Sequence, residues 1–557
     1  MKKNEPTKKY LPRRDFVKAA LAGIGATAAA GIGAEKTEAA NVTRHWDKVA
    51  DVVIVGAGAA GLPASIEAAE HGASVIVVEQ NYDIGGHAIE SGGNIALGGG
   101  TSLQKQYGIE DSPDLMFNDL VTWHDYRFSD REIVRAFCDW SAPTFEWLLK
   151  HGVVFPDKSP GGPDGGPQNV NRSQTVIWTG EVSTFSPTGG NGTALMRPLE
   201  ASARKLGVQI LLQHSMTGLI REGNFSGRVL GITVTNQGKT LNIQAKKGVI
   251  LGTGGHTSNV NFRRIFDPRL TEEYQVVGEP YSRQTADGEI AAMQVGASLW
   301  GVANQTVETK SRSHIFEKPY VIGNQYGYPQ GGGRRNENLK NSPVAGLARA
   351  IGLQVTDFQN VIQVNQAGRR FVNEMAAGFD WWNPCLELNG GKAEGGGPIW
   401  AIFDADAAKR EGWICEPPFV DPDGWFFGGN TLAELAGKII SKYQKETMSA
   451  ASLQQTVTRY NSFVDEGKDS DYGKPAPKYK IQKSPFYAAW STPCIHDCIS
   501  GLRINGKAQV IDLWGAVIPG LYCGGESSGG FNQHGLAKSI TFGRIAGREA
   551  SQSTINS

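Results

Sequence analysis

Gly56, Gly58 and Gly61 stand in G-x-G-x-x-G spacing directly after an apolar run, Val52 to Val55, and Glu79 follows 18 residues after the last glycine. The run has the length and β-branched content of a buried parallel strand. The first glycine permits a tight turn, the second lets backbone approach a pyrophosphate, and the third lets the next helix pack closely. Ala59 and Ala60 fill the turn between them. Leu62 to His71 reads as that helix, ended by Gly72, and Ala73 to Val78 as a second buried strand. Glu79, at the end of that strand, is placed to accept hydrogen bonds from the ribose hydroxyls of an adenine dinucleotide. The spacing alone is common; strand, helix and acid in this order point to dinucleotide binding.

More glycine-dense turns follow. Gly85-Gly86-His87 and Ser91-Gly92-Gly93 come just after the acid, where backbone would pass along a diphosphate. Thr253-Gly254-Gly255 ends a buried strand, Gly248 to Leu251, and Gly524-Gly525-Glu526 ends another near the C-terminus. The 71 glycines exceed the usual share of about 7%.

The elements that must position these turns are legible from periodicity. Residues 113–151 read as helical, and a Gly/Pro-rich loop without regular structure covers 159–168. Gly189-Gly190-Asn191-Gly192 opens a helix through Leu206, and Val208 to Leu212 is a strand. Residues 227–236 and 240–245 read as two strands of a small antiparallel sheet turning at Asn236-Gln-Gly238, separate from the strand at 248–251. Ile399 to Asp404 is a further buried strand.

Lys+Arg 55 against Asp+Glu 55 gives no net charge, which argues against nucleic acid as a partner. Residues 1–40 read as a targeting segment: Arg13-Arg14 with Phe16 precedes a mildly apolar Ala/Gly run, the pattern of a twin-arginine export signal. Cleavage is expected between Ala34 and Asn41, leaving a periplasmic protein. The six cysteines carry no haem, iron–sulfur or zinc spacing, so no metal is expected. Cys494 and Cys498, if on one strand, lie about 13 Å apart and cannot bond.

Taken in order, these motifs, with Thr285-Ala-Asp287-Gly288, Pro485 to Asp497 and Thr541 to Gly547, resemble the flavoprotein superfamily of fumarate reductase and 3-ketosteroid 1-dehydrogenase over nearly all of residues 50–550. The resemblance implies an α/β fold. It has a Rossmann-like FAD-binding domain, of glutathione-reductase type with a parallel and a small antiparallel sheet, and an inserted α+β substrate or capping domain. Its boundaries would be 41–300 with 485–557 for the FAD domain and 301–484 for the insert. FAD would lie extended, non-covalently held, with its adenine end at Glu79 and its ring near the C-terminal glycine loop. Asp287 would belong to the flavin side, and Ser539 and Ile540 are further cofactor-binding candidates. His87 occupies nearly the position where succinate dehydrogenases attach flavin, one residue nearer the Gly-Gly pair, so both a covalent link and a simple contact stay open.

The hairpin Val361 to Glu374 matches the family's Asn-x-x-Gly turn, but four residues beyond Glu374, where fumarate reductases carry a proton-donating arginine, stands Gly378. No arginine lies between Glu526 and Arg544 either. A dicarboxylate is held best by paired guanidinium groups, so fumarate is excluded. His496 matches the family's Thr-Pro-x-x-His approach to the active site. His534 and Lys538 are further polar candidates. Lys538 would stand either at the flavin's N1/O2 edge or facing solvent. Tyr126 and Tyr281 are the tyrosines considered as base. Phe379, Trp381, Trp382, Trp490, Phe531 and Trp123 would either sandwich an apolar ring or pack the core.

The leading expectation is an exported FAD-dependent oxidoreductase of CH–CH bonds. It would transfer hydride between flavin N5 and the carbon β to a carbonyl of a ketosteroid-like or other cyclic, apolar small molecule. One alternative is a periplasmic reductase of an unsaturated carboxylate of urocanate or acrylate type, fed by a separate periplasmic cytochrome or a membrane quinone-linked carrier. Another is a non-catalytic FAD electron-transfer subunit.

Overall fold

The computed structural model describes residues 45–122, 129–163, 167–177, 192–267, 270–301, 314–317, 343–347, 349–350, 355–375, 397–417, 419–492, 494–533 and 535–554. The twin-arginine segment, Trp123, Tyr126, Gly378, Phe379, Trp381, Trp382 and His534 lie outside them.

Five parallel strands form the centre of the larger sheet, in the order Gln209–Leu212, Val75–Glu79, Lys48–Val55, Lys239–Leu251 and Val517–Cys523. Val52 pairs with Val75 and Val53 with Val249, so the first strand has partners on both sides. Both of its faces are covered, which is why Val52 to Val55 is an unbroken apolar run. The helix Gly61–Glu70 packs on one face against the C-terminal helix Gly535–Gln552, whose residues are mostly buried. Gln509–Ile511 adds an antiparallel edge strand.

The structure corrects two local expectations. Residues 239–251 form one continuous strand: its first half pairs antiparallel with Val229–Asn236, and its second half runs parallel to Lys48–Val55. No turn-forming residue interrupts Ala245-Lys246-Lys247, so the chain passes from one sheet pattern into the other, with the irregularity taken up at Ala50 to Val52 in the neighbour. Within the loop expected at 159–168, Gly161–Pro163 pairs with Asn171–Thr175. That strand pairs in turn with Asn94–Ala96, directly after the 85–93 glycine stretch.

A second, antiparallel sheet is ordered Ile362–Val364, Trp400–Asp404, Phe486–Trp490, Phe426–Gly429. The helices Leu432–Lys438 and Ala450–Glu466 contribute Leu435, Leu453 and Tyr460 to its own apolar core. Phe486–Trp490 follows the expected insert boundary at residue 484, yet belongs to this sheet. Among the described residues no helix is long and apolar enough to cross a membrane.

Arg172 pins the Asn171–Thr175 strand under the glycine stretch. Its guanidinium donates to both oxygens of Asp111 at 2.8 and 2.9 Å and reaches Asp119 at 2.9 Å, all three side chains being fully buried. Arg172→Met strands two buried carboxylates and should lower stability by about 3–5 kcal/mol. Urea unfolding measures it; a loss below about 1 kcal/mol would contradict the pairing.

Candidate functional site

A cavity of about 690 Å³ runs along the ends of the parallel strands, within the range of cofactor pockets. Its wall begins at the first strand-to-helix turn. Gly56 has φ +97°, a conformation that costs glycine little. A Cβ on Gly61 would overlap the Gly56 carbonyl oxygen, so the helix can start this close to the strand only without one. That helix has no side-chain cap at Ala60. Its first N–H groups are therefore available to an anion such as a pyrophosphate.

Glu79 is buried at the end of its strand. Its Oε2 accepts from the Ala57 N–H at 2.7 Å and its Oε1 from the Asn81 N–H at 2.9 Å. Burial pushes its carboxyl up, and the backbone N–H groups of Ala57, Asn81 and Gln80 oppose that. Each oxygen keeps a lone pair for a ribose hydroxyl. In Glu79→Gln an amide NH₂ must face one of those N–H donors. The variant should bind FAD about 10- to 100-fold more weakly, from the 1.5–3 kcal/mol of a hydrogen bond to a charged group. A titration of the cofactor-free protein checks this; unchanged affinity would remove Glu79 from the site.

The cofactor candidates divide by position. Gly56, Gly58, Ala59, Ala60, Glu79, Gly85, Gly86, His87, Ser91, Gly92, Thr253, Gly254, Asp287, Gly525, Glu526 and Ser539 line the cavity. Gly61, Gly93, Gly255 and Ile540 do not form its wall. Gly61 backs onto Gly56 and Gly255 onto Cys498, while Ile540 is fully buried in the C-terminal helix. These residues fit an extended dinucleotide: a buried acid at one end, an uncapped helix start at the middle, and glycine backbone beyond.

The far end is polar and carries His87, Gln284, His496, Asp497 and Glu526. Gln284 Nε2 donates to Glu526 Oε2 at 2.6 Å and lies 3.1 Å from His87 Nδ1, while its Oε1 accepts from Thr257 at 2.8 Å. His496 Nδ1 is 3.2 Å from Asp497 Oδ1, and the His87 and His496 rings are 6.3 Å apart. Burial holds the His87 imidazole down at about 4, against the pull of Asp497, so it is neutral at physiological pH.

The remaining catalytic candidates fare differently. Lys538 is buried, not solvent-facing. It does not line the cavity, its ammonium donates to the Ser528 carbonyl at 2.7 Å, and burial pulls it down to about 8. Three residues into the C-terminal helix, it points inward, and Glu526 and Asp497 oppose its deprotonation. Tyr281 is also buried off the wall. Its hydroxyl donates to the Ile84 carbonyl at 3.3 Å and burial raises its pKa, so it lacks both the position and the acidity of a base. Trp490 and Phe531 pack the interior, Trp490 against Trp400 and Phe531 against Phe137. Tyr126 and His534 fall outside the described residues. Cys494 and Cys498 lie on one strand, Cys494–Cys498, as separate buried thiols.

Sequence reasoning missed Gln284 and Asp497. Gln284 stands in no glycine motif. Asp497 follows His496 on a strand, and alternation sends neighbours to opposite faces; here both line the cavity. Behind the Gly252-to-Gly255 turn, Ser500, His256 and Glu289 form a chain with contacts of 3.4 and 3.2 Å. All three side chains are sealed from solvent, which denies that serine a substrate.

A family model described as an FAD binding domain matches residues 51–306 and 341–539. The chain is 29% identical over 514 residues to the urocanate reductase of Eggerthella lenta, covering 90% of this chain and 74% of that one. It is 28% identical over 549 residues to the acrylate reductase flavoprotein subunit of Shewanella woodyi, covering 95% of each. A solved 3-ketosteroid-Δ4-(5α)-dehydrogenase from Rhodococcus jostii RHA1, in complex with 4-androstene-3,17-dione, matches with TM-score 0.58 and 26% identity. That match covers 92% of this chain and 99% of that one.

Proposed function

Since this chain belongs to the FAD-binding-domain family and is an FAD-dependent oxidoreductase of carbon–carbon bonds, we propose that its substrate is a small, uncharged, largely apolar ring compound. The bond made or reduced is a C=C next to a carbonyl. The observation that carries this is the charge of the cavity. Its described wall presents Glu79, Glu90, Glu279, Asp287, Asp497 and Glu526 but one cationic side chain, Arg283, which is largely exposed and 3.8 Å from Glu279. A carboxylate brought to the His496 end would meet acids without a buried guanidinium to offset their repulsion. The reading as a non-catalytic electron-transfer subunit is set aside, because the relatives are themselves reductases and dehydrogenases.

Bound FAD supplies or accepts the hydride. Held non-covalently, its diphosphate would lie over the helix start at Gly61 and its ring toward His87 and Glu526. The neutral imidazole of His87 would contact the ring side without a covalent link. His496 then holds the substrate carbonyl or carries the proton of the α carbon, and it is the one candidate from the family motif that lines the cavity among the described residues.

A second reading has its own support. The urocanate reductase likeness favours an unsaturated carboxylate whose ring N–H groups face Asp497 and Glu526. Its carboxylate would need a cation from residues outside those described, and its electrons a separate cytochrome or quinone-linked carrier. Either reaction would take place in the periplasm, which cell fractionation with and without Arg13 and Arg14 would test.

The deciding measurement is anaerobic. The purified enzyme is reduced with dithionite and mixed with fumarate, urocanate, cinnamate-type enoates, cyclohexenones and 1,4-diene-3-ketosteroids. Reoxidation by the neutral ring enones, with saturated ketones bleaching the oxidised enzyme, is expected. Reoxidation by carboxylates alone would replace this reading with the second.

A further inference from the structure

By the resemblance to the fumarate reductases, the position of their proton-donating arginine carries Gly378, so the proton that accompanies hydride transfer needs another source. The cavity holds one. One side-chain atom each of His87, Asp497 and Glu526 lies within 4.8 Å of the others. Burial raises the Glu526 carboxyl, and Asp497 beside it raises it further, as a second acid at this separation must. Two carboxyls held within 4.8 Å of each other in a buried site keep one proton between them, because like charges this close do not both ionise. Gln284 Nε2 fixes the far oxygen of Glu526 at 2.6 Å, and Asp497 stands 3.2 Å from His496 Nδ1.

We propose that Asp497 and Glu526 share one proton and pass it through His496 to the α carbon of the substrate. This deepens the reading of the site as a C=C oxidoreductase and rests on it. In the reducing direction a hydride adds to the β carbon and the C=C π pair moves onto the carbonyl as an enolate. His496 gives its N–H proton to the α carbon, and the carboxyl pair gives its shared proton to His496. Solvent at the cavity mouth restores that proton. In the oxidising direction the same groups accept the α proton. Asp497 and Glu526 act through His496, so they are positioning and relay residues.

Every charged group around the pair bears on its titration. Burial and Asp497 hold the Glu526 carboxyl well above the ordinary carboxylate range. His496 acts in the opposite sense. Among the described residues Lys538 and Cys498 are within electrostatic reach, with His87 on the third side and Glu289 behind Cys498. Two like charges this close do not both ionise at neutral pH, and the second proton leaves late.

Two measurements on the FAD-loaded full chain test the proposal. Infrared spectra of the oxidised enzyme at neutral pH should contain a protonated-carboxyl band that disappears in Glu526→Gln and is lost or shifted in Asp497→Asn. A wild-type spectrum without the band, or one unchanged in both variants, overturns the shared proton. The second measurement is rapid-mixing reoxidation of the reduced enzyme by cyclohexenone or urocanate, whichever turns over. The wild-type rate should fall as pH rises through the pair's upper ionisation. In both variants that alkaline limb should move, with the rate near neutrality down about 100-fold and dithionite reduction unchanged. An unmoved limb overturns the relay. Should neither compound reoxidise the wild type, the substrate reading fails while the infrared result still decides the pair.

Discussion

Gly61→Val yields a protein that purifies without flavin. The new side chain begins where the Gly56 carbonyl oxygen already is. Gly56 cannot give way, because its own Cβ position is occupied by the Gly252 carbonyl. The helix Gly61–Glu70 must therefore back off the sheet, and its N–H groups leave the place where a pyrophosphate would meet them. Ordinary overpacking costs about 1–3 kcal/mol, and backbone overlap exceeds what side-chain shifts absorb. Flavin content per protein, read from visible absorbance, should drop by at least about 100-fold. Gly437→Ala is the control: it lies in the helix Leu432–Lys438 with nothing within 4 Å of a new Cβ, and should leave flavin content unchanged. A Gly61→Val protein with full flavin would mean that the first turn is not where the cofactor binds.

His496→Ala should keep its flavin, accept electrons from dithionite at the wild-type rate, and lose about 10²–10⁴-fold in reoxidation by substrate, the range for removing a general acid. The His496 side chain is about 30% exposed, on the cavity wall, while the strand that carries it is otherwise buried. The expected loss is thus in proton transfer and carbonyl contact rather than in folding. His496→Gln separates the two: an amide can still donate to a carbonyl but cannot cycle a proton, so KM should recover more than kcat. A His496→Ala enzyme with wild-type turnover would move the chemistry to residues outside those described.

The first dinucleotide turn was legible because its reasons are local. A β-branched run, three spaced glycines, an alanine-rich helix and a strand-end acid each state their own conformation. The structure reproduces them as Lys48–Val55, Gly61–Glu70 and Val75–Glu79. The later glycine turns gained meaning from their order along the chain, and the family likeness followed from that order. The continuous strand at 239–251 was not legible, because its two halves change partners while their own sequence stays β-favouring throughout.

The polar end of the cavity depended on tertiary structure. Residues 87, 284, 496 and 526 are far apart in sequence, and no local periodicity ties Gln284 to His87 and Glu526. Whether Lys538 stands at the flavin's edge or faces solvent was open in the sequence, since a lysine early in a helix suits both. Helix Gly535–Gln552 turns that side in, and burial then lowers the ammonium. Tyr281 and Trp490 have the chemistry of site residues and were drawn into the core by packing. By itself the sequence determined where the glycine turn follows the first strand and which acid stands at the end of the second, because glycine freedom and β-branched strand propensity are short-range properties. Only the tertiary structure decided which carboxyls meet which imidazoles, because that contact is made between segments far apart in the chain.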